Sequence, residues 1–226
     1  MLEGLHHKLG RAKRILALTL EQARVLATLK RFKEALVLCE QGIGLAPRDK
    51  AAYTEKGVIL ADLERHEEAL AVAQQVVRLD ANDALAHDRV GDRLKKLERY
   101  EAAIKAYTRA LRLDPDLVGT YSAKAAALRK LDRHVEALAL YDKALQLQPE
   151  DFFLRFFRAN TLQELRRDRE ATVAYEQAQR VAPHPSLVIQ CILASVLLKK
   201  EAPGEPGGEK PAQQMQSPSR KKSKRP

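Results

Sequence analysis

A period of 34 residues is the feature that most constrains this chain. Pro47, Pro115, Pro149 and Pro183 fall on that spacing, and Ala81 fills the one missing slot. With this site set at position 32, five repeats run over 16–49, 50–83, 84–117, 118–151 and 152–185 without insertion or deletion. Position 20 is Ala in every repeat (Ala35, Ala69, Ala103, Ala137, Ala171). Position 11 is always Leu, position 14 is always Leu, and position 8 is always Gly or Ala. A unit this short cannot bury its own apolar face, so in-phase repeats must stack on their neighbours.

The residue types follow from that stacking. Positions 4, 8, 11 and 14 have helical spacing, as do 20, 24, 27 and 28, so each repeat should be two short helices. Gly or Ala at 8 and 20 lets the two backbones cross closely, and Leu26, Leu60, Leu94, Leu128 and Leu162 fill the space beside the crossing. Tyr107, Tyr141 and Tyr175, at position 24, are expected to cover the seam to the next repeat. Pro at 32 cannot continue a helix. Asp49, Asp83, Asp116 and Asp151 follow closely and are placed to cap, or complement the charge of, the next helix N-terminus.

In its period and its Gly/Ala-Leu-Leu-Ala-Ala-Pro signature the chain resembles the tetratricopeptide repeat family, over residues 16–185. It departs at position 4, where the usual Trp is replaced by Thr19, Tyr53, His87, Tyr121 and Arg155. Position 17, usually aromatic, holds Phe32, His66, Tyr100, His134 and Asp168. The resemblance implies an all-α fold, a right-handed α-solenoid of antiparallel helix pairs. It also implies a concave groove, lined by the first helix of each repeat, that takes a partner polypeptide.

The flanks differ from the repeats. Residues 1–15 form a basic lead-in, expected to be helical from about Gly10, and residues 186–200 form an apolar helix with Ser186 as a candidate N-cap. That helix should cap the open end of the fifth repeat, with dimerisation as the alternative. Residues 201–226 are rich in Pro, Gly, Ser, Gln and charge, with Met215 as the one apolar side chain of any size, and should remain a disordered basic tail. Of the net charge of +10, the lead-in and the tail each carry +3, so the repeats are nearly balanced. Nucleic-acid or membrane binding therefore falls to the basic ends, and Ser219 to Pro226 could also act as a nuclear localisation signal.

The chemistry expected is that of a non-enzyme. There is no Gly-rich phosphate loop, no paired Cys-x-x-Cys and no His-Glu-x-x-His, so neither a cofactor, a catalytic group nor a small-molecule substrate is expected. His66 and His134 share position 17 two repeats apart, too distant to share a metal. Cys39 and Cys191 sit singly on apolar stretches, which fits buried thiols in a reducing, cytoplasmic compartment. Met1 to Lys8 lacks the apolar run of a secretory signal, and no segment has the ~18 apolar residues of a membrane span.

The groove residues carried over from the family pattern lie at positions 2, 5, 9, 12 and 13. Three groups stand out: small residues in repeats two and four, a basic cluster of Lys95, Lys96, Arg129 and Lys130, and an aromatic cluster of Phe152, Phe153, Phe156 and Phe157. With Leu20, Arg24, Asp62, Asp88, Asp92 and Asn160 they make the candidate surface for a peptide with acidic and apolar side chains. Family members that grip a chaperone's C-terminal carboxylate do so with Lys and Asn at positions where this chain has Leu20/Arg24, Thr54/Val58 and Asp88/Asp92, so that subtype is not expected. The expected function is a scaffold or adaptor that binds a protein or peptide. The alternatives are self-association through the apolar C-terminal helix, or electrostatic tethering by the basic ends.

Overall fold

A computed structural model describes the backbone of residues 2–201 and the side chains of residues 10–198. Met1 and the tail expected to be disordered, from 202 onward, lie outside the described residues. The described chain is all helix and turn: α1 (Leu2–Thr28), α2 (Phe32–Leu45), α3 (Lys50–Asp62), α4 (His66–Leu79), α5 (Ala84–Lys96), α6 (Tyr100–Leu113), α7 (Val118–Arg129), α8 (His134–Leu147), α9 (Phe152–Glu164), α10 (Asp168–Arg180) and α11 (Pro185–Glu201). Each helix packs on its sequence neighbours, from α1 on α2 through to α10 on α11, which makes the array an α-solenoid.

The small residues sit where the helices cross. Ala35, Ala69, Ala103, Ala137 and Ala171 are buried, as are Ala23, Gly91, Ala125 and Ala159 at position 8. The glycines at that position are not equivalent. A Cβ on Gly91 would lie 2.5–2.9 Å from the buried Tyr107 ring, whereas one on Gly57 would meet only Val72 Cγ1, at 3.5 Å. Gly57→Ala should therefore stabilise the fold by about 0.5–1 kcal/mol through helix propensity. Gly91→Ala should destabilise it by about 1–3 kcal/mol through overpacking. Thermal unfolding of the two variants checks this, and shifts of the same sign would contradict it.

Every turn within a repeat has the same geometry, without a glycine. Lys30, Glu64, Glu98, Asp132 and Arg166, all at position 15, adopt positive φ between 56° and 61°. The next residue is Arg in every repeat, and its backbone N–H donates to the Leu carbonyl at position 11: Arg31 to Leu26, Arg65 to Leu60, Arg99 to Leu94, Arg133 to Leu128 and Arg167 to Leu162. This pattern closes the first helix as a Schellman turn and satisfies carbonyls that its end would leave unpaired. Four of these arginines also hold a carboxylate three residues on through two hydrogen bonds, as Arg31 does to Glu34 at 2.7 and 2.6 Å.

Several expectations are corrected. The helix in the lead-in begins at Leu2, not near Gly10; Gly10 lies on an open helix face with nothing within 4 Å of its Cβ position. Asp49, Asp83 and Asp151 cap α3, α5 and α9 by accepting a backbone N–H at 2.8–3.0 Å. Asp116 does not cap α7, because it stands one residue too early and Leu117 occupies the N-cap. Ser186 is not an N-cap either: Pro185 opens α11, and His184 Nδ1 lies 3.3 Å from the Ser186 N–H and 2.9 Å from its hydroxyl. The tyrosines at position 24 turn their hydroxyls to the first helix of their own repeat, Tyr107 to Asp92 and Tyr175 to Asn160. Tyr141 also meets the next repeat, with its ring 6.1 Å from that of Phe157.

Candidate functional site

The first helices of adjacent repeats stand side by side, with α1 touching α3 and α5 touching α7. Clefts of about 450 Å³ open on either side of α7. The cleft between α5 and α7 is lined by Asp88, Asp92 and Asp116 together with Leu85, Gly119 and Thr120. The cleft toward α9 is lined by Ala126, Arg129, Lys130, Asp132, His134 and Glu164.

The acidic side is partly tied down. Asp88 accepts a hydrogen bond from the Thr120 hydroxyl at 2.7 Å, and Asp92 accepts one from Tyr107 at 2.8 Å. Burial, reinforced by the charge of Asp92, pushes the Asp88 carboxyl above its ordinary range, although the Thr120 bond acts the other way. A carboxyl whose folded pKa is raised above its ordinary 3.8 disfavours the folded state once the pH exceeds that value, and the penalty disappears as the pH falls. Asp88→Asn, which can still accept from Thr120, should raise Tm at pH 7 by about 2 °C. The gain should vanish well below pH 4, and a gain that persisted there would contradict this account.

The expected basic cluster is divided in two. Arg129 donates twice to Glu164, at 2.8 and 2.5 Å, across the α7–α9 boundary. That bond raises the arginine and lowers the glutamate pKa, and His134 Nδ1 lies 3.1 Å from the same carboxylate without the angle of a hydrogen bond. Lys95 reaches Asp92 at 3.3 Å and stands 5.8 Å over the Tyr107 ring. Lys96 and Lys130 are exposed and form no ion pair among the described residues, and the same holds for Asp62. The unpaired members of the cluster are thus Lys96 and Lys130, at position 13 of the third and fourth repeats, where α5 and α7 end.

The aromatic cluster is mostly core. Phe152 is buried, Phe156 stacks on it and meets Tyr175 edge-on, and Phe157 packs toward Tyr141. Phe153 alone of the four is exposed, at 53 %. Arg24 is paired with Glu55 at 2.9 Å and Glu21 at 3.3 Å, and Asn160 accepts from Tyr175 at 2.5 Å. Leu20, expected in the groove lining, is buried beside Leu16 and Ala52, because α1 packs that face into the seam with α2 and α3.

A larger opening, about 790 Å³, lies between the second helices α8 and α10. Among its arginines, Arg158 is engaged with Asp142 at 2.6 Å, and Arg155 with Glu150 and two backbone carbonyls. Among the described residues no cluster of three His, Cys, Asp or Glu side chains is arranged to hold a metal ion, and no helix is long and apolar enough to cross a membrane. Cys39 and Cys191 are free and buried, and burial pushes the Cys39 thiol up to about 12.

A stacked array of helix pairs with one continuous first-helix face defines a helical-repeat scaffold. Models of the tetratricopeptide repeat match residues 20–84 and 118–151, and a TPR repeat model matches 91–132. The chain belongs to the tetratricopeptide repeat family. Among solved structures it is similar to PilF of Pseudomonas aeruginosa, with TM-score 0.71 and 15 % identity over 84 % of this chain and 85 % of that one. It is also similar to MamA, with TM-score 0.68 and 17 % identity over 75 % and 92 % of the two chains. A third similar structure, YrrB, is described as a TPR protein with an unusual peptide-binding site; it gives TM-score 0.64 and 18 % identity over 77 % and 90 %. At these identities the likeness is one of fold. No curated protein sequence matches the chain.

Proposed function

We propose that this protein is a non-enzymatic scaffold that binds a partner polypeptide along the face formed by α3, α5, α7 and α9. The observation that carries the reading is the pair of clefts flanking α7, one of them lined by Lys130, with exposed Lys96 at the equivalent position of the preceding repeat and exposed Phe153 on α9. An extended or helical segment could set acidic side chains against the two lysines and an apolar one against Phe153. A free C-terminal carboxylate fits poorly, since it would meet Asp88 and Asp92 between α5 and α7. The peptide-binding site named for YrrB supports the class of ligand and not its identity. In this reading the five repeats keep the boundaries 16–49 to 152–185, and α11 closes the last one.

The test is an affinity capture from cell extract, analysed by mass spectrometry, with the full chain and a Lys96→Glu/Lys130→Glu variant as baits. Neither lysine forms an ion pair among the described residues, so the variant should keep its helicity while specific partners are depleted at least tenfold. An unchanged set of captured proteins would remove these lysines from the binding face.

A further inference from the structure

The apolar helix α11 continues the repeat phase as a sixth first helix. Counting on from 185, Leu193 falls at position 8 and Val196 at position 11. In the repeats those positions lie beneath the second helix of the same repeat: Ala125, Ala159, Leu128 and Leu162 are buried. On α11 they are open, with Leu193 57 % and Val196 44 % exposed, and Ile189, Ile192 and Leu197 are exposed beside them. The opposite side of the helix is packed on α10, with Cys191, Ser195 and Leu198 buried. So α11 is half a repeat: among the described residues it is docked on one face and no helix covers the other.

The sequence that follows does not carry the repeat pattern of such a helix. In register that pattern would start near 202, where the sequence has Pro203, Pro206 and Pro211 and three glycines, residue types unfavourable within a helix. Glu205 stands at position 20, where every repeat has Ala, and Glu209 at position 24. A borrowed second helix of the repeat type does not fit either. That helix needs Gly or Ala at position 8 to approach, and α11 has Leu193. A branched Leu/Ile/Val face instead suits a helix of like character at the wider separation, about 8–10 Å between axes, of ordinary helix pairs.

We infer that the missing cover is α11 of a second copy, and that two molecules join tail to tail through an antiparallel α11 pair. From Leu187 to Leu198 the helix carries no charge, so two copies meet without like charges in opposition. Lys199 and Lys200 follow at one end, which disfavours a parallel pair and is relieved in an antiparallel one. The five exposed side chains offer on the order of 500 Å² of apolar surface per copy, at the upper limit for a monomer. Doubled, with a polar rim, this approaches the lower end of stable interfaces, about 1,200 Å² in total. Such an interface is isologous and closes at two copies.

The other end of the array is the competing site. On α1, Leu18 and Val25, at positions 3 and 10, are exposed where later repeats meet a preceding helix. Glu21, Arg24 and Arg14 interrupt that surface, and pairing it with α11 would omit a second helix from the alternating order.

Sedimentation of the full chain over a wide concentration range tests this. A species of twice the 25.4 kDa chain mass is expected. Leu193→Glu should weaken it at least tenfold with helical circular dichroism unchanged, and Leu18→Glu should leave it intact. Leu193 is the middle of the stripe, so in the antiparallel pair it faces its own counterpart. Leu193→Cys should therefore give a disulfide-linked dimer on mild oxidation, while Cys39 and Cys191 stay buried and unreacted. A monomer at all concentrations, a dimer that Leu193→Glu leaves unchanged, or an assembly lost with Leu18→Glu would each overturn the inference.

Discussion

Leu128→Ala should cost about 3 kcal/mol of stability, within the range for deleting a fully buried leucine. Leu128 is 1 % exposed, at position 11 of the fourth repeat. It shares a cluster with Ala103, Tyr107, Ala125 and Tyr141, so its removal opens a cavity among atoms from α6, α7 and α8. Its carbonyl also receives the Arg133 N–H that closes the turn, but this backbone bond survives the substitution. For a chain of this length the loss corresponds to a fall in Tm of about 6–12 °C. Position within the array matters as well, because a weakened inner repeat uncouples the repeats on both sides. Val135→Ala, at an exposed site at the start of α8, should change Tm by no more than about 1–2 °C. Comparable shifts in the two variants would mean that position 11 does not carry the core.

The second large effect concerns binding. Phe153→Ala should weaken the captured partner by about thirtyfold, as expected for a truncated aromatic hot spot worth some 2 kcal/mol. Folding should lose only about 1 kcal/mol, since Phe153 is more than half exposed and meets Phe152 edge-on at 5.2 Å, while Phe152 and Phe156 carry the buried packing. Phe152→Ala should show the reverse, a large loss of stability that affects binding only through the folded fraction. Isothermal titration and thermal unfolding of the two variants separate the roles. Equal loss of affinity in both variants, in proportion to lost fold, would assign the aromatic cluster to the core alone.

The repeat architecture was legible because it depends on residue type at fixed places. Ala at position 20 and Leu at position 11 mark close crossings and buried wedges, and the structure has helices crossing there. The turn at position 15 was not legible by type, since Lys30, Glu64, Glu98, Asp132 and Arg166 share no chemistry; the backbone hydrogen bonds that follow hold the positive φ. Arg at position 16 did leave a signal, the same residue five times over, and its bridge to Glu at 19 could have been anticipated from helix spacing in four repeats. The site was harder to read. Arg129 and Glu164 are 35 residues apart, and only the superhelix brings them together to neutralise one of the four residues of the apparent basic cluster. Likewise the side-chain bonds from Thr120 to Asp88 and from Tyr107 to Asp92 turn a string of carboxylates into a partly satisfied floor.

Hydrogen–deuterium exchange of the full chain with and without its captured partner tests the central claim most directly. The account predicts new protection on the first helices α3, α5, α7 and α9, strongest around the clefts beside α7, with α4, α6, α8 and α10 unchanged. Protection confined to the second helices, or to α11, would contradict a binding face built from the first helices.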